Sequence, residues 1–508
     1  MRNLAPVAAR RVGNDLRAAF FHRLTLLEPA YFHRIRTGDL FSRYTSDIAA
    51  VHEMLGFGLI GLVNTVLSIV TTLVLMVKIS VTLGLAVVVA FPVICGLIAY
   101  LLRVASRRYD VMRTKQSNLT SMVHENVSGV RLIRASGAEE REMLRFAEVR
   151  DEVVRSVLRH ARVQQPFPAT ARLLLNLVFV GALLLAARLF LGGDDSGLPS
   201  GLTLGGFAAF LTYLFLLWSP VRWFGMVVDT IQQGTVSWAR VRDVLHATPG
   251  IQGGPTQPQQ VKGEVRFENV SLKVDDQLLL DGISLTIPAG RTLGVTGRTG
   301  SGKSLLGSLL TRAIEPSSGR VLLDGIDLKE LKLESLRTAV GLVSQEPVLF
   351  SRTIAQNIEI GLEPNLERLQ WAATVADLKA NVDDFPKKFD TLVGERGVTL
   401  SGGQRQRTAL ARALIRKPTV LVLDDALSAV DAETEARILG QLKGSLEAQT
   451  ILILGHRIDT FRHSDEIVVL EKGRITERGT HDELIAKKGV YADLSRTQRL
   501  EETLQVDG

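Results

Sequence analysis

One cysteine among 508 residues leaves no intramolecular disulfide to be made. Cys95 lies in an apolar run, where a free thiol serves as a small buried hydrophobe. Charge is missing too, but only in places. Residues 56–102 hold Lys78 as their one charged side chain, and residues 173–221 hold only Arg188, Asp194 and Asp195. No apolar leader precedes the first basic residues, so a signal peptide is not expected there. No internal repeat is visible, and there is no acidic surplus: 60 Lys and Arg stand against 53 Asp and Glu, a net charge of +7. Such a balance admits a nucleic-acid binder. The bases, however, gather beside the apolar stretches, at Arg10, Arg11, Arg17, Arg23, Arg34, Arg36 and Arg43. That placement points to the cytoplasmic face of a membrane and to lipid as a partner, with no nucleic acid.

What the chain does have is four runs long enough to cross a bilayer, which takes about 20 apolar residues each. They lie at about 56–77, 81–102, 173–191 and 204–221, with Pro220 near the end of the last. Buried helices of a soluble core would not recur four times at this length. The Arg-rich segments before the first run and between the second and third lie inside. The 192–201 loop, with two aspartates and no base, lies outside. The reading is a multi-pass protein of the cell inner (cytoplasmic) membrane. Around Val123, Val127, Val130 and Ile133 apolar residues recur at helical spacing, as in long amphipathic helices reaching into the cytoplasm. A Pro-, Gly- and Gln-rich stretch then marks a linker. The expected division is a membrane domain at 1–245, a linker at 246–262 and a soluble domain at 263–508.

The soluble part alternates strand and helix. In "TLGVTGRTGSGKS" a strand runs into a glycine loop and a helix start. Its Gly297, Arg298, Thr299, Gly300, Ser301, Gly302, Lys303 and Ser304 fit the P-loop pattern. Backbone N–H groups there can wrap a phosphate, and the helix N-terminus adds partial positive charge. Lys303 would reach the β- and γ-phosphates of ATP, and Ser304 would ligate Mg²⁺. Asp424 ends the apolar strand of "VLVLDD" and suits a carboxylate on the Mg²⁺ side, at the C-terminal edge of a parallel sheet. In "LSGGQRQR", Ser401 can cap a helix whose start Gly402 and Gly403 leave open, a second place able to receive a phosphate. One chain needs only one such site for its own nucleotide, so the second makes sense if it reads the nucleotide of another subunit. Gln345 follows an apolar run and carries no assignment alone. His456, after the strand in "LILGHRI", suits a structural histidine as well as a γ-phosphate contact.

Together these residues resemble the ATP-binding cassette (ABC) family. "GRTGSGKS" is similar to its Walker A motif, "LSGGQ" to its signature and "VLVLDD" to its Walker B. Gln345 matches the Q-loop, Asp431 in "SAVD" the D-loop and His456 the switch histidine. Residues 391–397, "TLVGERG", resemble a stretch typical of exporters. Residues 31–47 and 129–146 resemble the two coupling-helix regions of an exporter membrane domain. The resemblance covers nearly the whole chain. It implies an α-helical, type IV exporter-like transmembrane domain followed by an α/β P-loop cassette. It further implies ATP hydrolysis coupled to export, with ATP and Mg²⁺ as cofactors and a second half-transporter as partner. In that family two cassettes clamp two ATP molecules head to tail. By the resemblance Lys303, Ser304, Gln345 and Asp424 serve this chain's ATP and Mg²⁺. Ser401, Gly402, Gly403 and Gln404 serve the partner's, with Asp431 beside them.

The sequence departs from the family pattern at two places. Asp425 stands where the family's catalytic glutamate sits, so Asp425 is the candidate base with one methylene less reach. Val274 falls where the family has a tyrosine that stacks on adenine, and Val offers no π-face. The signature remains intact. This mixture resembles the degenerate-site half of bacterial heterodimeric exporters. The competing readings are a homodimer hydrolysing slowly at two Asp sites, a non-transporting fragment, an importer-type cassette and a soluble cassette ATPase. Six spans are usual for the family's half. Met1 falls within what resembles the second, so the first span and most of the second are expected to be missing, through a late start codon or a truncation. Asn64, Ser68, Thr71 and Thr72 share a helical face in the first run. As a cavity stripe they suit a small amphipathic or lipophilic substrate, and as small polar residues they suit helix packing.

Overall fold

The computed structural model describes residues 4–164 and 203–506, apart from 275, 395–396, 398 and 446–448, together with scattered positions between 173 and 188. The chain forms two compact units, Met1–His22 with Gly38–His246, and Arg23–Thr37 with Ala247–Gly508. Most of the expected span at 173–191, the outer loop at 192–201, the Cys95 side chain and two residues of the 391–397 stretch lie outside the described residues.

The first unit is helical. Thr37–Ile79 is the one helical run among the described residues that is long and apolar enough to cross a membrane. Two π-helical turns, Arg43–Asp47 and Met54–Gly58, interrupt it below the apolar part. A bend at Ser80 starts the helix Val81–Ser128, and the Ser80 hydroxyl accepts from the Leu83 N–H. The hairpin closes tightly because Gly84 has no side chain: a Cβ there would lie 2.5 Å from the Val77 Cα. The helix of the span expected at 81–102 runs on without a break to Ser128. A short helix, Val130–Ala135, and the helix Glu139–Gln164 follow. Val123, Val127 and Val130 are helical as expected but stand exposed on this chain.

The span expected at 204–221 divides at Leu217 into the helices Leu204–Leu216 and Trp218–Leu245. Pro220 is the reason the break is tolerated. It falls in the first turn of the second helix, where a missing N–H breaks no intrahelical bond. Trp218–Leu245 packs on Leu59–Ile79 through Gly61, where a Cβ would lie 2.9 Å from Val227 Cγ2. Lower down, the buried Asp47 accepts from the Ser237 hydroxyl at 2.8 Å, with Arg240 at 3.8 Å from its other oxygen. Val63, Leu67, Val70 and Val74 remain on the outer face of Leu59–Ile79, an arrangement suited to lipid and costly in water.

The second unit is built on two sheets. β1 (Val265–Val274), β2 (Gln277–Ile287), β4 (Ser318–Leu323) and β5 (Ile326–Asp327) form an antiparallel sheet in the order β2-β1-β4-β5. The larger sheet has the order β10-β9-β3-β8-β7-β6. Its strands β3 (Thr292–Thr296), β6 (Val340–Val343), β7 (Val420–Asp424), β8 (Thr450–Leu454) and β9 (Glu466–Glu471) run parallel, and β10 (Arg474–Gly479) pairs antiparallel with β9. β3 and β8 are buried at every position, which is why they read as continuous apolar runs. One core lies between the two sheets, around Phe267, Leu306 and Val422. The other packs the helices from Ile354 to Leu414 and the C-terminal Tyr491 against the opposite face, around Leu410, Leu423 and Phe461. Parallel strands all point their C-terminal ends the same way. β3, β6, β7 and β8 therefore deliver their following loops to one edge.

Candidate nucleotide site

That edge gathers the glycine loop, Gln345, Asp424, Asp425 and His456. The register explains the juxtaposition. Val295 pairs with Leu454, and Asp424 pairs with Leu454 from the other side. The residue after each strand end is then a neighbour of the others.

The glycine loop follows β3. Gly297 has φ +147°, and a Cβ on it would stand 2.1 Å from the Leu470 carbonyl oxygen. Only glycine lets the chain leave the strand this close to β9. Arg298, Thr299 and Gly300 are exposed, Gly300 with open space around its Cα, while Ser301 is buried. Gly302, at φ +101°, precedes the helix Lys303–Leu310. The Lys303 ammonium donates back to the carbonyls of Gly297 at 2.8 Å and Arg298 at 3.1 Å. It thus sits in the mouth of the loop, where a phosphate would compete for it. Desolvation pulls its pKa down, against the pull of Asp425 and Asp424.

Ser304 Oγ donates to Asp424 Oδ1 at 2.8 Å. Burial raises the Asp424 pKa, with the Ser304 bond opposing. A hydroxyl and a carboxylate side by side are hard oxygen donors. They fit Mg²⁺, which takes one or two protein oxygens and fills its octahedron with water and phosphate.

Asp425 comes next, at φ +48°, a left-handed conformation that aspartate tolerates better than most residues. Its N–H bonds to the Leu454 carbonyl at 2.7 Å. Both carboxylate oxygens are engaged. Oδ1 lies 2.9 Å from His456 Nδ1, and Oδ2 accepts from Gln345 Nε2 at 3.2 Å. Gln345 and His456, neither assignable alone from sequence, therefore converge on one carboxylate.

The signature segment forms the expected helix start. Ser401 and Gln404 make a reciprocal capping box at the N-terminus of Gly402–Leu414. The small size of Gly403 is needed locally, because a Cβ there would stand 3.0 Å from the Ala429 carbonyl. Asp431 caps the helix Ala432–Ser445, accepting from the Thr434 N–H at 2.9 Å, a bond that lowers its pKa. Val274 ends β1 with its side chain exposed.

Sequence reasoning missed the residues that tie these pieces together. The buried Gln406 donates to the Ser428 hydroxyl at 3.0 Å and accepts from the Ala429 N–H at 2.9 Å. Ser428 in turn donates to the Asp425 carbonyl at 2.9 Å. The signature helix is thereby linked to the backbone of Asp425 within one chain. The available signal was a glutamine on the apolar face shared by Leu410 and Ala413, where a polar residue must have partners. Arg457 pairs with the buried Glu435 at 2.9 Å, and Thr460 donates to the same carboxylate.

Comparison with known proteins agrees with this geometry. Residues 4–221 match the ABC transporter transmembrane region, and residues 280–428 match the ABC transporter domain. A probable multidrug resistance ABC transporter ATP-binding/permease protein, YheI of Bacillus subtilis, is 34% identical over 96% of this chain and 83% of its own length. The multidrug resistance-like ATP-binding protein MdlA of Escherichia coli is 33% identical over 98% of this chain and 84% of its own. An ATP-dependent lipid A-core flippase of Aromatoleum aromaticum is 33% identical over 97% and 82%. Among solved structures, a bacterial Atm1-family ABC exporter with ATP bound superposes with a TM-score of 0.82 at 29% identity, over 97% of this chain and 86% of that one.

Proposed function

The chain belongs to the ABC transporters of the exporter type, a membrane region fused to an ATP-binding cassette, and from that premise we propose that it is the degenerate-site half of a heterodimeric exporter. Membership brings a membrane-bound ATPase that couples ATP hydrolysis to transport and works as a dimer. The finer reading is as follows. Lys303 and the 297–302 loop bind the phosphates of this chain's ATP, and Ser304, Gln345 and Asp424 hold Mg²⁺. His456 contacts the γ-phosphate, and Asp425, His456 and Gln345 form the catalytic group. Ser401, Gly402, Gly403 and Gln404 complete the partner's site, with Asp431 at the junction. The membrane is the cytoplasmic membrane, and the division is 1–245, 246–262 and 263–508.

The observation that carries the heterodimer reading is the state of Asp425. A general base must reach the attacking water at hydrogen-bond distance. The Asp425 carboxylate is a methylene short and gives one oxygen to His456 and the other to Gln345. A misplacement of about 1 Å can cost about 100-fold in rate. The signature, by contrast, is fully formed. A chain with a hindered base and a sound signature is suited to completing another chain's site. The homodimer remains the second reading, favoured by the direct Asp425–His456 contact. The relatives' names, multidrug transporter and lipid A-core flippase, and the exposed Asn64 and Ser68 support a small amphipathic or lipophilic substrate.

Purification from native membranes in gentle detergent, with identification of everything that co-elutes, tests this. The expected result is a second, different half-transporter in equal amount, and negligible ATPase from this chain alone. A homodimer with brisk turnover would overturn it.

A further inference from the structure

We propose that Gln498, on the C-terminal helix, is a positioning residue that clamps the loop carrying His456 and so sets how well this site distinguishes ATP from ADP. The proposal rests on His456 reading the γ-phosphate.

The helix Val490–Val506 is fixed at its base. Tyr491 is fully buried, its hydroxyl is 2.8 Å from His481 Nδ1, and the Glu477 carboxylate accepts the N–H groups of Val490 and Tyr491. One helical face then carries Tyr491, Leu494, Ser495 and Gln498, a spacing of three, four and seven. Leu494 packs against the core and Ser495 is buried. A glutamine that continues such a face needs partners for its amide. It finds two in a single loop more than forty residues away in sequence for one of them. Its Nε2 donates to the His456 carbonyl, and its Oε1 accepts from the Ile458 N–H at 2.9 Å. One donor meets an acceptor and one acceptor meets a donor, so only one amide orientation satisfies both.

These bonds flank Arg457. From the other side Arg457 donates to the Val430 carbonyl at 3.2 Å and pairs with Glu435. Residues 456–458 are therefore held from one side through their backbone and from the other through the Arg457 side chain. The imidazole of His456 has only its two side-chain torsions left, and it points at Asp425. Loss of the Gln498 grip frees the backbone that aims the imidazole, while leaving the helix base and the Glu435–Arg457 pair in place.

The test uses the full transporter with its partner chain. ATP and ADP, each with Mg²⁺, compete against 8-azido-ATP photolabelling at this chain's own site, and the ratio of their affinities is the readout. Gln498→Met keeps the volume and removes both hydrogen bonds. We expect the ATP preference to fall by about three- to tenfold, the effect of one or two such bonds, with ADP affinity unchanged. Gln498→Glu supplies the second arm. Protonated, it offers a donor and an acceptor like the amide, and ionised it sets an acceptor against the His456 carbonyl. Its ATP preference should therefore recover, relative to the unmodified protein, as pH falls. A merely structural role predicts equal losses for both nucleotides and no recovery. If His456→Ala lowers the ratio but Gln498→Met does not, the clamp is overturned and the role of His456 stands. If His456→Ala leaves the ratio unchanged, both fall together.

Discussion

Asp425 Oδ1 and His456 Nδ1 stand 2.9 Å apart, although 30 residues of helix, loop and strand separate them in the chain. The contact exists because β7 and β8 are parallel neighbours in register, with Asp424 opposite Leu454. Each strand then hands its next residues to the same edge. The pair makes the working state of the site a question about one carboxylate.

Lengthening that carboxylate is the direct probe. In the heterodimer, Asp425→Glu should change steady-state turnover by less than about twofold, and removing the corresponding carboxylate of the partner chain should abolish it, a loss of the order of 100-fold or more. In a homodimer Asp425→Glu would instead raise turnover strongly. Phosphate release by the purified complex distinguishes the two.

Gly297→Ala should abolish nucleotide binding at this chain's site. The new methyl would lie 2.1 Å from the Leu470 carbonyl, at a backbone angle few side chains adopt. The loop must move to relieve it. Gly300→Ala, with open space at the same loop, should bind far better, although its positive φ adds strain. Azido-ATP labelling of the two variants gives the comparison.

The Glu435–Arg457 pair should respond unequally to removal of either member. Arg457→Met strands a buried carboxylate and should cost about 3 kcal/mol. Glu435→Gln leaves Arg457, a third exposed, free to hydrate, and should cost about 1 kcal/mol. Burial raises the Glu435 pKa despite Thr460 and Arg457. A raised folded-state pKa means that folding favours the protonated form. Its stabilising contribution is present below the ordinary glutamate range and is lost as pH rises through the raised value. Glu435→Gln should flatten that part of the pH dependence. Thermal unfolding of the full-length protein in detergent, followed across that range, measures both effects.

In the first span, Asn64 and Ser68 are exposed, whereas Thr72 is buried and Thr71 spends its hydroxyl on the Leu67 carbonyl at 2.7 Å. The four do not behave as one stripe. If the exposed pair contacts cargo, Asn64→Leu with Ser68→Leu should reduce ATP-driven export of an amphipathic dye several-fold, with basal ATPase retained. Unchanged export would remove them from the substrate path.

The division of labour between sequence and fold follows from the range of the interactions. Local chemistry was legible. The glycine loop, the capping serine of the signature helix and the apolar strand ending in Asp424 each depend on residues within one turn or one strand, and periodicity and turn chemistry report such features directly. The apolar runs were legible for the same reason, since lipid imposes a composition on every residue it touches. What stayed hidden was long-range. Gln345 and His456 carried no assignment by themselves, because only the parallel order of β6, β7 and β8 brings both to Asp425. The break at Leu217 in the last apolar run stayed hidden, because hydropathy averages over a turn that changes no composition. Gln406, Glu435 and Gln498 look like ordinary polar residues on amphipathic helices. Their meaning lies in backbone groups and side chains that they meet only after folding. The sequence by itself determined which phosphate-binding loops and long apolar runs this chain has. The tertiary structure decided which of them touch, because hydrogen-bond partners distant in sequence are chosen by sheet order and helix packing.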